Sequence, residues 1–216
     1  MLKKLLLLSP IVLLASATFA NADPIGTVTA YTLTLDGCTG GCGTTVPFAT
    51  VDITQTTANE VTVTETLTSG NKFVKTGAGN ALAFNVVGPA TIADISTGFG
   101  IGPTSAHAST FGTFLESVTC TGCGKGGSSP LLGPLSFTVS ETGISAADFI
   151  VNSDGNFFAS DIIGNNRKTG NVGGDTPGVP NTPGDPNSPV PEPSSLLLFG
   201  TGLVGAATMV RRRLFS

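Results

Sequence analysis

Four cysteines carry the most obvious chemical potential in this 216-residue chain, and they fall in two tight pairs. Cys38-x3-Cys42 and Cys120-x2-Cys123 both sit in glycine-rich stretches. An even thiol count predicts two disulfides wherever the compartment is oxidising. Three pairings are open. Local rings are the simplest, because the partners are already close along the chain. A cross-pair would close a loop of about 80 residues and stabilise by ~2–3 kcal/mol more in the chain-entropy model. Four thiolates also suit a tetrahedral zinc ion, but an oxidising compartment consumes the thiols that such a site needs. A thioredoxin-like role for Cys120 and Cys123 requires a helix to follow, and Gly124, Gly126 and Gly127 follow instead. Haem attachment fails because Gly124 stands where a histidine is required.

The remaining reactive types are sparse. Ser69-x-x-Lys72 matches a serine-acylase spacing, but Gly70-Asn71 between them reads as a turn and the companion motifs are missing. A hairpin turn is the expectation there. Gly122-x-Gly124-x-x-Gly127 has the letters of a dinucleotide loop, yet Ser128-Ser129-Pro130 blocks the helix that such a loop must open. His107 is the single histidine, with no serine elbow or metal-ligand spacing around it, and is expected in a solvated loop. Asn152, Asp154, Asn156 and Asp161 offer oxygens for Ca²⁺, but the EF-hand spacing is absent and an Asx turn accounts for the first three. No cofactor or metal site is expected from these patterns.

The elements that must position these residues read as β. Val28 to Leu35 alternates threonine with apolar residues, and Glu60 to Leu67 has a strict period of two. Val61, Val63, Glu65 and Leu67 share one face of it, so Glu65 interrupts an otherwise apolar row. Ala81 to Val87, Thr113 to Cys120 and Leu135 to Ser140 are further short runs rich in strand-forming residues. Asp154-Gly155, between Phe149-Ile150-Val151 and Phe157-Phe158, predicts a hairpin turn. Ser145-Ala146-Ala147-Asp148 predicts a capping box on one helical turn. The lack of alternation between strands and long helices argues against a parallel α/β sheet. The expectation is an all-β body: eight to ten short strands in two antiparallel sheets, a β-sandwich or jelly-roll-like arrangement. Ten phenylalanines between residues 23 and 170 would supply much of its core.

Composition divides the chain into 1–22, 23–170, 171–190 and 191–216. The first segment has Lys3 and Lys4, an apolar stretch from Leu5 to Leu14 and Ala20-Asn21-Ala22, the three parts of a secretory signal peptide with the mature chain starting near Asp23. Residues 23–193 hold 14 acidic against 5 basic residues, a net of −9. Such a charge argues against nucleic acid and anionic membrane surfaces as partners. Pro177, Pro180, Pro183, Pro186 and Pro189 recur every third residue, the period of polyproline II, in a spacer able to reach roughly 60 Å at ~3.1 Å per residue. Residues 191–216 begin Pro191-Glu192-Pro193, continue apolar from Ser194 to Val210, and close on Arg211-Arg212-Arg213. As a single transmembrane helix the apolar run would be about 25 Å long, slightly under the ~30 Å hydrocarbon core. The arginines would stay on the cytoplasmic side, leaving the body outside.

This tripartite tail resembles the PEP-CTERM sorting signal of exported proteins from Gram-negative bacteria. The resemblance covers Pro191 to Arg213 and leaves the body unaccounted for. It implies recognition at Pro191, Glu192 and Pro193 by an exosortase, a membrane processing enzyme that cuts near that motif. It also implies transient residence in the inner membrane, retention through Arg211, Arg212 and Arg213, and release to the cell surface or beyond. The family setting is extracellular polysaccharide. The expected function is therefore a non-catalytic surface or matrix protein. A carbohydrate-binding module is the alternative, although Tyr31 is the only tyrosine, tryptophan is absent, and the phenylalanines are needed inside.

Overall fold

Period-two alternation builds this body, because every second side chain of a strand faces the same way. The computed structural model describes residues 22–68, 70–77 and 79–174. In chain order the strands are β1 (Val28–Leu33), β2 (Leu35–Asp36), β3 (Ala49–Thr57), β4 (Glu60–Leu67), β5 (Lys72–Phe73), β6 (Asn80–Val86) and β7 (Thr91–Ala93). There follow β8 (Phe99–Ile101), β9 (Ala106–Ala108), β10 (Gly112–Phe114), β11 (Glu116–Cys120) and β12 (Leu135–Ser140). After one 3-10 turn at Ala146–Asp148 come β13 (Phe149–Ile150), β14 (Phe158–Ile163) and β15 (Thr169–Gly174). The expectation of an all-β antiparallel body holds, and the strand count exceeds the eight to ten expected. Glu60–Leu67 and Leu135–Ser140 fall where the alternation put them.

One sheet has the order β1-β3-β4-β12-β7, and the other β2-β15-β14-β6-β11-β8. Their apolar faces share one core. Phe84 of β6 stacks on Phe137 of β12 at 5.6 Å between ring centroids, and Phe149 lies 5.7 Å from Phe84. Nine of the ten body phenylalanines are buried: Phe48, Phe73, Phe84, Phe99, Phe111, Phe114, Phe137, Phe149 and Phe158. β6 is buried at every position. Its second face is covered by the β9–β10 hairpin, where Phe111 and Phe114 pack with Ala83, Ala106, Ala108 and Ala159 in a separate cluster.

Two runs expected as single strands are each divided between sheets. Val28 to Leu35 breaks at Thr34, with β1 pairing β3 and β2 pairing β15. Thr113 to Cys120 breaks at Leu115, which is 56 % exposed, with β10 pairing β9 and β11 pairing β6. Sequence alternation persists through both corners, so it could not reveal them. The hairpin expected at Asp154-Gly155 is also corrected. β13 and β14 both pair with β6 in one continuing register, Phe149↔Val86, Ile150↔Asn85, then Phe158↔Phe84 and Ala159↔Ala83. Residues 151–157 are therefore an excursion from a single interrupted strand. Their turn closes on itself through Asn152 N donating to Asn156 O at 2.9 Å.

The boundary expected at 170 also shifts. β15 runs to Gly174 and pairs along its whole length with β14, from Ile163↔Thr169 to Phe158↔Gly174. Residues 171–174 belong to the body. Residues 1–21 of the expected signal segment 1–22, the remaining spacer and the 191–216 tail lie outside the described residues. Among the described residues no helix is long and apolar enough to cross a membrane.

Candidate functional site

Both cysteine pairs close as local rings, Cys38–Cys42 and Cys120–Cys123, with Cα separations of 5.3 and 5.4 Å. Of the three open pairings the simplest is the one adopted. Asp36 organises the first ring. Its Oδ1 accepts from Cys38 N at 2.9 Å and its Oδ2 from Cys42 N at 2.8 Å. Asp36, Cys38 and Cys42 are thus clustered, but both sulfurs are bonded to each other and both carboxylate oxygens hold backbone amides. The second ring ends β11 and packs on β5, with Cys123 Sγ 3.4 Å from Phe73 O. The four sulfurs are divided between two separately closed loops, which removes the four-thiolate alternative.

The other candidates are dispersed. Lys72 pairs with Ile163 at the start of β5, and Asn71 N donates to Thr68 O at 2.9 Å, so a turn forms there; the expected hairpin does not, because β4 pairs with β3 and β12 whereas β5 pairs with β14. Ser69 lies outside the described residues. His107 is exposed, on β9 rather than in a loop, opposite Thr113. Asn152 Oδ1 accepts from Asp154 N and Asn156 N, both at 3.0 Å, the expected Asx turn. Asp161 is engaged elsewhere, accepting from Thr76 N at 2.6 Å and Thr76 Oγ1 at 2.5 Å. Burial nonetheless pushes its carboxyl up to about 6, and the two Thr76 hydrogen bonds pull the other way. No helix follows Gly127 within the described residues before β12. The capping box at Ser145 forms as expected, with Ser145 Oγ accepting from Ala147 N at 3.3 Å and Asp148 Oδ2 accepting from Ser145 N at 2.8 Å.

Glu65 sits where alternation put it, on the inner face of β4, at 0 % exposure. Neither carboxyl oxygen has a hydrogen-bond partner. Across the core, the nearby Ser160 hydroxyl donates to Ala81 O at 2.7 Å. Burial pushes the Glu65 carboxyl up to about 8, with Ser160 offsetting only part of this. The side chain is a neutral acid at neutral pH, sealed from any solute.

A cavity of about 510 Å³ opens beside Asp23. Tyr31, Phe149, Ile150, Val151 and Phe157 form most of its lining, and its polar side-chain groups come from Asp23, Thr29 and the Tyr31 hydroxyl. Tyr31 packs 5.2 Å from Phe157 and 5.0 Å from Phe158, and its hydroxyl donates to Ala146 O at 3.3 Å. Burial, and then the Asp23 charge, raises its pKa. Sequence reasoning did not gather these residues, since β1, the 3-10 turn and the 151–157 excursion meet only in space. The interrupted alternation around Phe149 to Phe158 was the available signal.

Pro191, Glu192, Pro193, Arg211, Arg212 and Arg213 lie outside the described residues. No curated protein and no solved structure matches the chain. Residues 189–213 match the family model described as the PEP-CTERM protein-sorting motif. That span contains the Pro-Glu-Pro, the apolar run and all three arginines. The chain thus carries a PEP-CTERM protein-sorting motif, which indicates exosortase-type sorting of a secreted protein.

Proposed function

We propose that this protein is a non-catalytic component of the cell surface or extracellular matrix, working as a folded body after its sorting tail has delivered it. The observation that carries the reading is the sorting motif at 189–213 on a disulfide-bearing, antiparallel β body. The chemistry-bearing side chains support it through what they already do. Asp36 caps a ring, Asp161 pins Thr76, Asn152 closes a turn, and Glu65 is sealed in the core. In this reading Pro191, Glu192 and Pro193 are read by the processing enzyme, and Arg211, Arg212 and Arg213 hold the tail end on the cytoplasmic face. Neutral replacements at the three arginines are expected to lower retention and processing, measured by intact mass of cell-bound and released protein. Unchanged processing of that variant counts against the assignment.

A glycan-binding role gains little from the cavity. Sugars need several polar partners beside an aromatic face, and here Asp23, Thr29 and the Tyr31 hydroxyl, which already donates to Ala146 O, stand in a mostly apolar lining. A glycan array, run with and without calcium, is expected to be blank for the mature body. A reproducible sugar hit would replace the matrix reading with the carbohydrate-binding one.

A further inference from the structure

We propose that the cavity beside Tyr31 is the seat of the chain's own next segment, residues 175–181, which lays Pro177 and Pro180 against it. The first observation is where the described chain ends. Gly174 O accepts from Phe157 N at 2.8 Å, and Phe157 lines the cavity. On its other side, a Cβ added at Gly174 would meet Thr32 O at 2.8 Å. Glycine lets the end of β15 fit between Phe157 and the neighbour of Tyr31, so the chain leaves the body at the rim of the cavity.

The second observation is the match of shape and chemistry. The segment that follows is Asp175-Thr176-Pro177-Gly178-Val179-Pro180-Asn181. Prolines three apart share an edge of a polyproline II helix, and aromatic-lined grooves bind that edge without ordering a flexible chain. Tyr31 and Phe157 supply the aromatic wall, and Ile150 and Val151 remain 40 % and 41 % exposed beside it. Pro177 is three residues past Gly174, ~9 Å at 3.1 Å per residue, and Pro180 about 19 Å. The cavity falls inside the roughly 300–1,000 Å³ typical of ligand sites. Continuity with the chain makes the occupant intramolecular, so a weak contact suffices at the high effective concentration of a short tether.

The test is nuclear Overhauser spectroscopy on the mature exported chain, which has one tyrosine and therefore one unambiguous set of tyrosine ring signals. Cross-peaks from Pro177 and Pro180 to the rings of Tyr31 and Phe157 are expected. They should vanish in Pro177→Asp/Pro180→Asp, and also in Ile150→Asp, which alters the exposed wall and leaves the core intact. Absence of these cross-peaks in the unaltered chain, with proline signals matching those of free peptide 175–190, overturns the proposal. So do concentration-dependent cross-peaks between chains, which would assign the cavity to a second copy.

Discussion

Replacing Glu65 by glutamine should change how stability depends on pH more than any other single substitution in the body. Glu65 is completely buried, both its oxygens are unpartnered, and burial moves its carboxyl from 4.5 to about 8. The folded state therefore binds the proton more tightly than the unfolded chain does. Its stabilising contribution is fully present below pH 4.5 and is lost as pH rises, levelling off above 8. The shift of three and a half units is worth about 5 kcal/mol across that window, and about 3 kcal/mol has already gone by pH 7, at ~1.36 kcal/mol per unit. Glutamine keeps the size and does not titrate. The difference in unfolding free energy between Glu65→Gln and the unaltered protein should therefore shift in the variant's favour by about 3 kcal/mol between pH 4.5 and 7. Scanning calorimetry should show this as roughly 10 °C in relative Tm, at about 2–4 °C per kcal/mol for a body of this size. Denaturant titrations from pH 4 to 9 would give the same quantity directly. Parallel stability curves for the two proteins would refute the argument, because they would mean that water or a counter-charge reaches this carboxyl.

Asp161→Asn should remove the lower part of the same profile, since burial raises that carboxyl from 3.8 to about 6; at most about 3 kcal/mol is lost between those pH values in the unaltered chain, and a denaturation series from pH 3.5 to 6.5 checks it. Peptide mapping without reduction should recover Cys38–Cys42 and Cys120–Cys123 as intra-peptide bridges, and Cys120→Ser/Cys123→Ser should cost about 2 kcal/mol, as such a small ring implies. Gly173→Ala should destabilise by ~1–3 kcal/mol, because the added Cβ would lie 2.5 Å from the Phe111 ring; the companion variant Gly173→Ala/Phe111→Leu should recover part of the loss in the same thermal assay.

How far the sequence could be read depended on which forces were local. Glu60–Leu67 and Leu135–Ser140 were legible to the residue, because each alternates and stays in one sheet. The position of Glu65 on the buried face followed from that alternation alone. β3 was overlooked although Ala49, Val51, Ile53 and Gln55 alternate in its nine residues; its threonines and Asp52 diluted the apolar signal. The corners at Thr34 and Leu115, and the excursion at 151–157, were invisible because pairing across sheets decides them. An Asp-Gly pair looks the same in a hairpin as in a loop expelled from one strand. The same holds for the cavity, whose walls come from residues more than a hundred positions apart. The sorting tail was the reverse case: its three features lie in order along the chain, so letters alone were enough.

Asp23 lines the cavity, and Gly174 accepts a hydrogen bond from Phe157 of the same wall. The described chain therefore begins and ends against the same wall, like the two ends of a drawstring. A cut before Asp23 or after Gly174 leaves every strand of the body whole.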